Sequence, residues 1–113
     1  MIRGRIVLVP FPFDDLSSSK VRPAVCLTEP LGTHRHVVLA FISSQPPSER
    51  LDSDVAFDPG DADFAATGLR VASTLRLHRL MTVASSLIRR DLGALSPRLQ
   101  ALVSTRLRDL FSL

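Results

Sequence analysis

Apolar positions fall in short β-type bursts through most of this chain, and a helical stripe emerges only near the C-terminus. Ile6-Val7-Leu8-Val9-Pro10-Phe11 is β-branched and apolar and predicts a first strand, with Pro10 favouring a sheet edge or a bulge. Residues 12–20 are rich in Asp and Ser and predict a loop. Residues 22–28 form a second strand whose near-continuous apolar run predicts burial on both faces. A turn with Pro30 and Gly32 leads into a third strand over residues 36–42, stopped by Ser43-Ser44-Gln45-Pro46-Pro47.

Residues 48–68 are polar, acidic and broken by Pro59, Gly60 and Gly68. They predict a long loop holding one short strand at Val55-Ala56-Phe57 and a helical turn after Asp61; a connection of this length is more often functional than ornamental. Residues 69–77 and 80–83 predict two further strand pieces, and residues 85–90 a helical turn. The last element is the clearest. Ser96 suits an N-cap, Pro97 the first helical position, and Leu99, Leu102, Val103, Leu107 and Leu110 recur at helical spacing. Arg98, Arg106 and Arg108 lie off that stripe. About five strands and one terminal helix predict a mainly β fold, a small antiparallel barrel or curled sheet covered by the helix.

With 113 residues the chain predicts one domain spanning positions 1–113, large enough to fold around one core. The single cysteine, Cys26, excludes an internal disulfide, and no apolar run approaches the roughly 20 residues that span a bilayer. The N-terminus passes straight into strand-like sequence without a signal-peptide pattern, so the expected location is cytoplasmic, with no membrane partner.

Charge adds more. Net charge is +3, and 13 of the 14 cations are Arg, whose planar fork suits phosphate; a GC-rich coding sequence enriches Arg equally well. Residues 1–63 carry six cations against nine anions, and residues 64–113 eight against two. Such a split permits a basic face for a polyanion or an acidic peptide, with an acidic loop elsewhere.

Certain motifs go further. Arg3-Gly4, the strand through Pro12-Phe13, Asp15-Leu16-Ser17 and Lys20-Val21-Arg22-Pro23-Ala24 together resemble the opening of the PemK/MazF family of toxin endoribonucleases. Ile42-Ser43-Ser44-Gln45, Thr67-Gly68-Leu69, the segment from Ser73 ending in Leu80-Met81-Thr82-Val83, and Leu92-Gly93-Ala94-Leu95-Ser96-Pro97 follow in matching order. The match covers nearly the whole chain. It implies an SH3-like barrel that forms a homodimer, cleaves single-stranded RNA at short sequences without a metal or other cofactor, and is inhibited by a cognate antitoxin whose tail docks over the RNA groove.

Metal-free RNA cleavage uses the neighbouring 2′-OH as nucleophile. It needs a base for that hydroxyl, an acid for the leaving 5′-oxygen and positive charge for the phosphorane. Arg22 matches the Arg that the family places in its active site; a strand-end Arg paired with an acid is the plainer reading. A guanidinium titrates above about 12 and is a poor base, so bidentate charge stabilisation is the role it suits. Ser43 stands where many family members carry Thr, and its hydroxyl can donate to a phosphate oxygen. Arg76-Leu77-His78 stands where one branch carries Arg-x-Asp, and strand alternation puts Arg76 and His78 on one face. His78 then becomes a candidate for proton transfer near neutral pH, set against an exposed strand histidine with no role.

Further RNA contacts are expected from Phe13 by stacking, from Ser19 and Lys20 to phosphates, from Ser44 and Arg76, and from Gln45, whose amide can read a base edge. The absence of Trp and Tyr argues against a broad stacking platform. His34 and His36 share a spacing of two but lack the further ligands a metal site needs, and Cys26 suits buried packing better than nucleophilic attack. The chain departs from the family in Gly4-Arg5, where Gly-Asp is common, in Ser43 for Thr, and in Ala72 before Ser73. Two rival functions therefore stay open: a catalytically weakened paralogue, and a toxin of the same fold that poisons gyrase by binding.

Overall fold

The computed structural model describes residues 1–10 and 20–113. Six strands, β1 (Arg5–Pro10), β2 (Val21–Cys26), β3 (His36–Ser43), β4 (Asp54–Phe57), β5 (Ser73–Ala84) and β6 (Arg90–Ala94), form one antiparallel sheet in the order β4-β5-β3-β2-β1-β6. One helix, α1 (Pro97–Leu110), closes the chain, and short 3-10 turns occupy Ala65–Thr67 and Ser85–Leu87. The sheet curls into a half-barrel.

The central strands are buried on both faces because their apolar run serves two cores. Ile6, Val25, Ala40 and Ile42 pack in one cluster with Val55, Leu75, Leu77 and the helix residues Leu99 and Val103. Val7, Val9, Ala24, Cys26, Val37, Leu39 and Phe41 pack in the other with Val83. The assignment switches with each successive residue, as the period of two of a strand requires. Helix α1 begins as its sequence dictates: Ser96 accepts a hydrogen bond from the Leu99 N–H at 3.2 Å, a cap that contributes about 1 kcal/mol, with Pro97 just inside.

Two glycines shape the half-barrel where its ends approach. Gly68 adopts φ +74°, and a Cβ there would lie 2.0 Å from the Leu92 carbonyl oxygen of β6. A Cβ on Gly93 would lie 2.2 Å from the Ala66 carbonyl oxygen. Between them sits Thr67, fully buried, whose hydroxyl donates to the Phe64 carbonyl at 2.6 Å and accepts from the Leu69 N–H at 3.2 Å. The Thr67-Gly68 and Leu92-Gly93 motifs are thus two sides of one backbone crossing.

The structure differs from the sequence expectation in three places. Six strands replace about five, because residues 90–94 pair with β1 although their polar and glycine content gives no strand pattern. The two expected strand pieces after Leu69 are one strand, β5, interrupted by a bulge rather than a break. Residues 69–72 lie outside it.

Strand β4 is the margin of the sheet. Arg106 reaches back from α1 and donates through Nη1 to the Asp52 carbonyl at 3.0 Å and the Asp54 carbonyl at 2.6 Å. Arg98, at the start of the helix, ties down the acidic connection through Asp63 at 2.7 Å and through Asp61. That contact and the Asp63 backbone N–H hold the Asp61 carboxyl below its ordinary range. Arg5, the departure at the start of β1, finds its own acid: Nε and Nη2 grip Asp91 of β6 at 2.9 and 2.7 Å. No helix among the described residues is long and apolar enough to cross a membrane.

Candidate active site

Strands β2, β3 and β5 meet around a cavity of about 150 Å³ lined by three arginines, Arg22, Arg76 and Arg79. Phe41 and Ile42 form its apolar floor, and Ser43 and Gln45 stand at its rim. The register explains the meeting. Ala24 of β2 faces Phe41 of β3, so the same antiparallel ladder carried two residues on brings Arg22 to the level of Ser43. On the other side Ser43 faces Thr74 and Ile42 faces Leu75.

Beyond Leu75 the ladder slips. Two steps along β3, from Ala40 to Ile42, are matched by five along β5, from Leu75 to Leu80. The additional residues have no partner on β3 in the ladder opposite Phe41, and an irregularity of this kind re-aims side chains that simple alternation would separate. Arg76 and Arg79 are three apart, which in an unbroken strand places them on opposite faces. Here both line the cavity. Leu77 between them is fully buried and His78 is exposed.

Three cations around so small a volume repel one another unless acids or an incoming anion offset them. Asp54 supplies one acid. Its Oδ1 lies 2.8 Å from Arg76 Nε, with the aspartate side chain 3 % exposed and the arginine 18 %. The N–H is not aimed along that line, so charge rather than a directed hydrogen bond joins the pair. Asp54 Oδ2 accepts the Leu51 N–H at 2.8 Å, which fixes the carboxylate from behind. Arg76 Nη2 also reaches the Glu49 carbonyl at 3.5 Å. The guanidinium is therefore held in place before any ligand arrives.

Ser43 serves its own turn. Its hydroxyl accepts the Gln45 N–H at 3.1 Å and lies 3.4 Å from the Gln45 carbonyl. The acceptor side is used, whereas the long contact on the donor side yields readily to a phosphate oxygen.

Of the residues singled out from sequence, Arg22, Ser43, Gln45 and Arg76 come together here. Ser44 is exposed and lines a neighbouring recess instead. Lys20 is exposed just before β2 and, like His78, is not among the residues lining the arginine cavity. Phe13 and Ser19 lie outside the described residues. Sequence reasoning missed Arg79 and Asp54. Nothing in the pattern of residues 73–84 signals the bulge that puts Arg79, an exposed residue, beside the cavity, and Asp54 reads as one acid among many in an acidic loop.

Cys26 is buried, and desolvation pushes its thiol up to about 11. It is a packing residue. The rings of His34 and His36 lie 5.9 Å apart on an exposed turn, and no group of three or more possible metal ligands occurs among the described residues.

A family model described as the PemK-like, MazF-like toxin of type II toxin–antitoxin systems matches residues 2–111. No curated protein matches in sequence. Among solved structures, the Mycobacterium tuberculosis toxin MazF-mt6 superposes with a TM-score of 0.73 at 21 % identity, over 96 % of this chain and 97 % of that one. An endoribonuclease in complex with its cognate antitoxin, from a mycobacterial species, gives 0.72 at 15 % identity over 100 % and 96 %. The MazE–MazF structure from Deinococcus radiodurans gives 0.69 at 15 % identity over the same shares, 100 % and 96 %. At these identities the likeness is one of fold.

Proposed function

Because this chain belongs to the PemK-like, MazF-like toxins of type II toxin–antitoxin systems, we propose that it is an endoribonuclease cutting single-stranded RNA at short sequences without a metal ion. The observation that carries this reading is the convergence of Arg22, Arg76 and Arg79 with Ser43 around one cavity. Guanidinium forks pair bidentately with phosphate oxygens, and three of them stabilise the extra charge that develops on a phosphorane. The 2′-oxygen attacks phosphorus and the 5′-oxygen leaves, giving a 2′,3′-cyclic phosphate and a 5′-hydroxyl.

Arg22 and Arg79 hold the non-bridging oxygens in this reading, Arg76 acts from its fixed position beside Asp54, and Ser43 donates to the phosphate. His78, exposed between the two β5 arginines, is the side chain assigned to proton transfer. Lys20, Ser44 and Gln45 contact the strand on either side. Phe13 and Ser19 retain the stacking and phosphate roles that their side-chain chemistry suits.

The protein acts in the cytoplasm as a homodimer, and its partner is an antitoxin with an acidic or amphipathic segment that occupies the RNA groove. One experiment tests the enzymatic core. Partner-free protein is incubated in EDTA with mixed-sequence single-stranded RNA, beside a folded Arg22→Ala control. Discrete cuts with cyclic-phosphate ends, absent from the control, are the expected result. Intact RNA after exposure to a folded dimer would reject the enzyme reading in favour of a silent paralogue or a toxin that acts by binding protein.

A further inference from the structure

Beside the arginine cavity lies a second recess of about 260 Å³, and Gln45 lines both. Its walls come from Pro46 and Pro47, from Thr74 of β5, and from Arg50 and Asp58. We infer that this recess is the subsite for a single unpaired guanine, the base of a nucleotide adjoining the cleaved phosphate. That the adjoining phosphate is cleaved rests on the ribonuclease reading; the base subsite itself rests on the geometry of the recess.

Position comes first. Ser43 and Thr74 face each other across the β3–β5 ladder; Ser43 lines the arginine cavity, Thr74 lines the recess, and Gln45 lines both. A strand whose phosphate is gripped by the arginines reaches the recess by passing Gln45, which brings the base adjoining that phosphate within reach of it.

The chemistry of the walls differs from that of the first cavity. Asp58 puts a carboxylate there, and a carboxylate repels a phosphate backbone while accepting from the N–H groups of a base. Arg50 contributes the complementary donor. Among the described residues neither forms an ion pair, with the other or with any third group, although both line one recess. Asp58 Oδ1 does accept the Gly60 N–H at 2.9 Å, which fixes the carboxylate without neutralising it. Two adjacent prolines supply a rigid apolar wall with no N–H of their own, suited to the face of a flat ring.

Guanine is the base that satisfies both charged groups. It alone carries two neighbouring donors, N1–H and N2–H, opposite a pair of acceptors, O6 and N7. A carboxylate can take the first pair and a guanidinium the second, each bidentately.

The test separates binding from cleavage. A single-stranded 2′-fluoro RNA library, randomised over six positions and lacking the attacking hydroxyl, is bound to wild type, Asp58→Asn and Arg50→Gln, and the retained sequences are counted. Wild type is expected to enrich guanine about tenfold at one position, the order conferred by a good bidentate contact. Asp58→Asn is expected to abolish that enrichment while leaving other positions as they were. Arg50 is exposed, so Arg50→Gln gives the same readout should Asp58→Asn disturb the fold. Guanine enrichment that survives in both variants, enrichment of another base at the site, or no RNA binding by wild type overturns the inference. If guanine is selected as described but natural RNA is not cut, the subsite stands and the ribonuclease reading fails.

Discussion

Asp54 Oδ1 lies 2.8 Å from Arg76 Nε, so an almost fully buried carboxylate of the marginal strand holds one of the three arginines of the cavity. The same residue is bound from two other directions. Its second oxygen takes the Leu51 N–H, and its backbone carbonyl takes Arg106 of the helix. Removing one member of a buried ion pair leaves the other charge without compensation and costs about 3 kcal/mol. Asp54→Asn is therefore expected to lower the unfolding free energy measured in urea by that order and to weaken RNA binding. Stability changes of Asp54→Asn and Arg76→Ala are expected to be non-additive, with a coupling of about 1–3 kcal/mol. Simple additivity in a double-mutant cycle would show that Asp54 acts independently of Arg76.

His78 offers a kinetic prediction. It stands exposed on β5 between Leu77, which is buried, and Arg79, which lines the cavity. If it exchanges a proton with the reacting hydroxyls, His78→Ala changes the shape of the pH–rate profile and lowers the rate by about 100-fold. A profile of unchanged shape in the variant removes His78 from the mechanism.

The backbone crossing at Gly68 leads to a stability prediction. A methyl group there meets the Leu92 carbonyl at 2.0 Å, far inside contact distance, on a backbone already at φ +74°. Neither the carbonyl nor the left-handed conformation can give way cheaply. Gly68→Ala is expected to cost at least about 3 kcal/mol in urea denaturation, through overpacking and backbone strain together. A loss under 1 kcal/mol in that measurement would mean that the two segments separate easily.

Cys26 ties stability to alkaline pH. Burial raises its thiol to about 11, above the value in an unfolded chain. Below the unfolded value both states hold the proton and nothing is lost. As pH rises from there through about 11, the unfolded state releases its proton first, so this contribution to stability falls. Cys26→Ala is expected to flatten that alkaline decline. At neutral pH the native thiol is expected to resist iodoacetamide and to react once urea unfolds the chain, as mass spectrometry can follow.

How far the sequence foretells this fold depends on where the physics is local. Alternation in residues 6–9, 24–26 and 37–42 reports burial directly, because every side chain there except the partly exposed Leu8 and Val38 faces the core that its parity assigns. Ser96 and Pro97 likewise act within one turn of helix. Strand β6 shows no such pattern: Arg90 and Asp91 are exposed, and its strand character comes from pairing with β1, a partner some 85 residues away. The same limit governs the site. Arg22, Ser43, Gln45 and Arg76 carry motif signals, whereas Arg79 enters the cavity only because β5 and β3 slip against each other opposite Phe41. Asp54 owes its importance to burial, which no acidic residue in a polar loop advertises.

The two hydrogen bonds from Arg106 to the Asp52 and Asp54 carbonyls also bear on how this molecule avoids its neighbours. An end strand with free acceptors is a template onto which another chain can zip, the first step toward fibrils. Here the guanidinium occupies one of those acceptors, the Asp54 carbonyl, together with the Asp52 carbonyl just before the strand, and its charge discourages an approaching backbone. A polymer growing from this margin must first pull the arginine away, so the helix that covers the core also guards against self-assembly at β4.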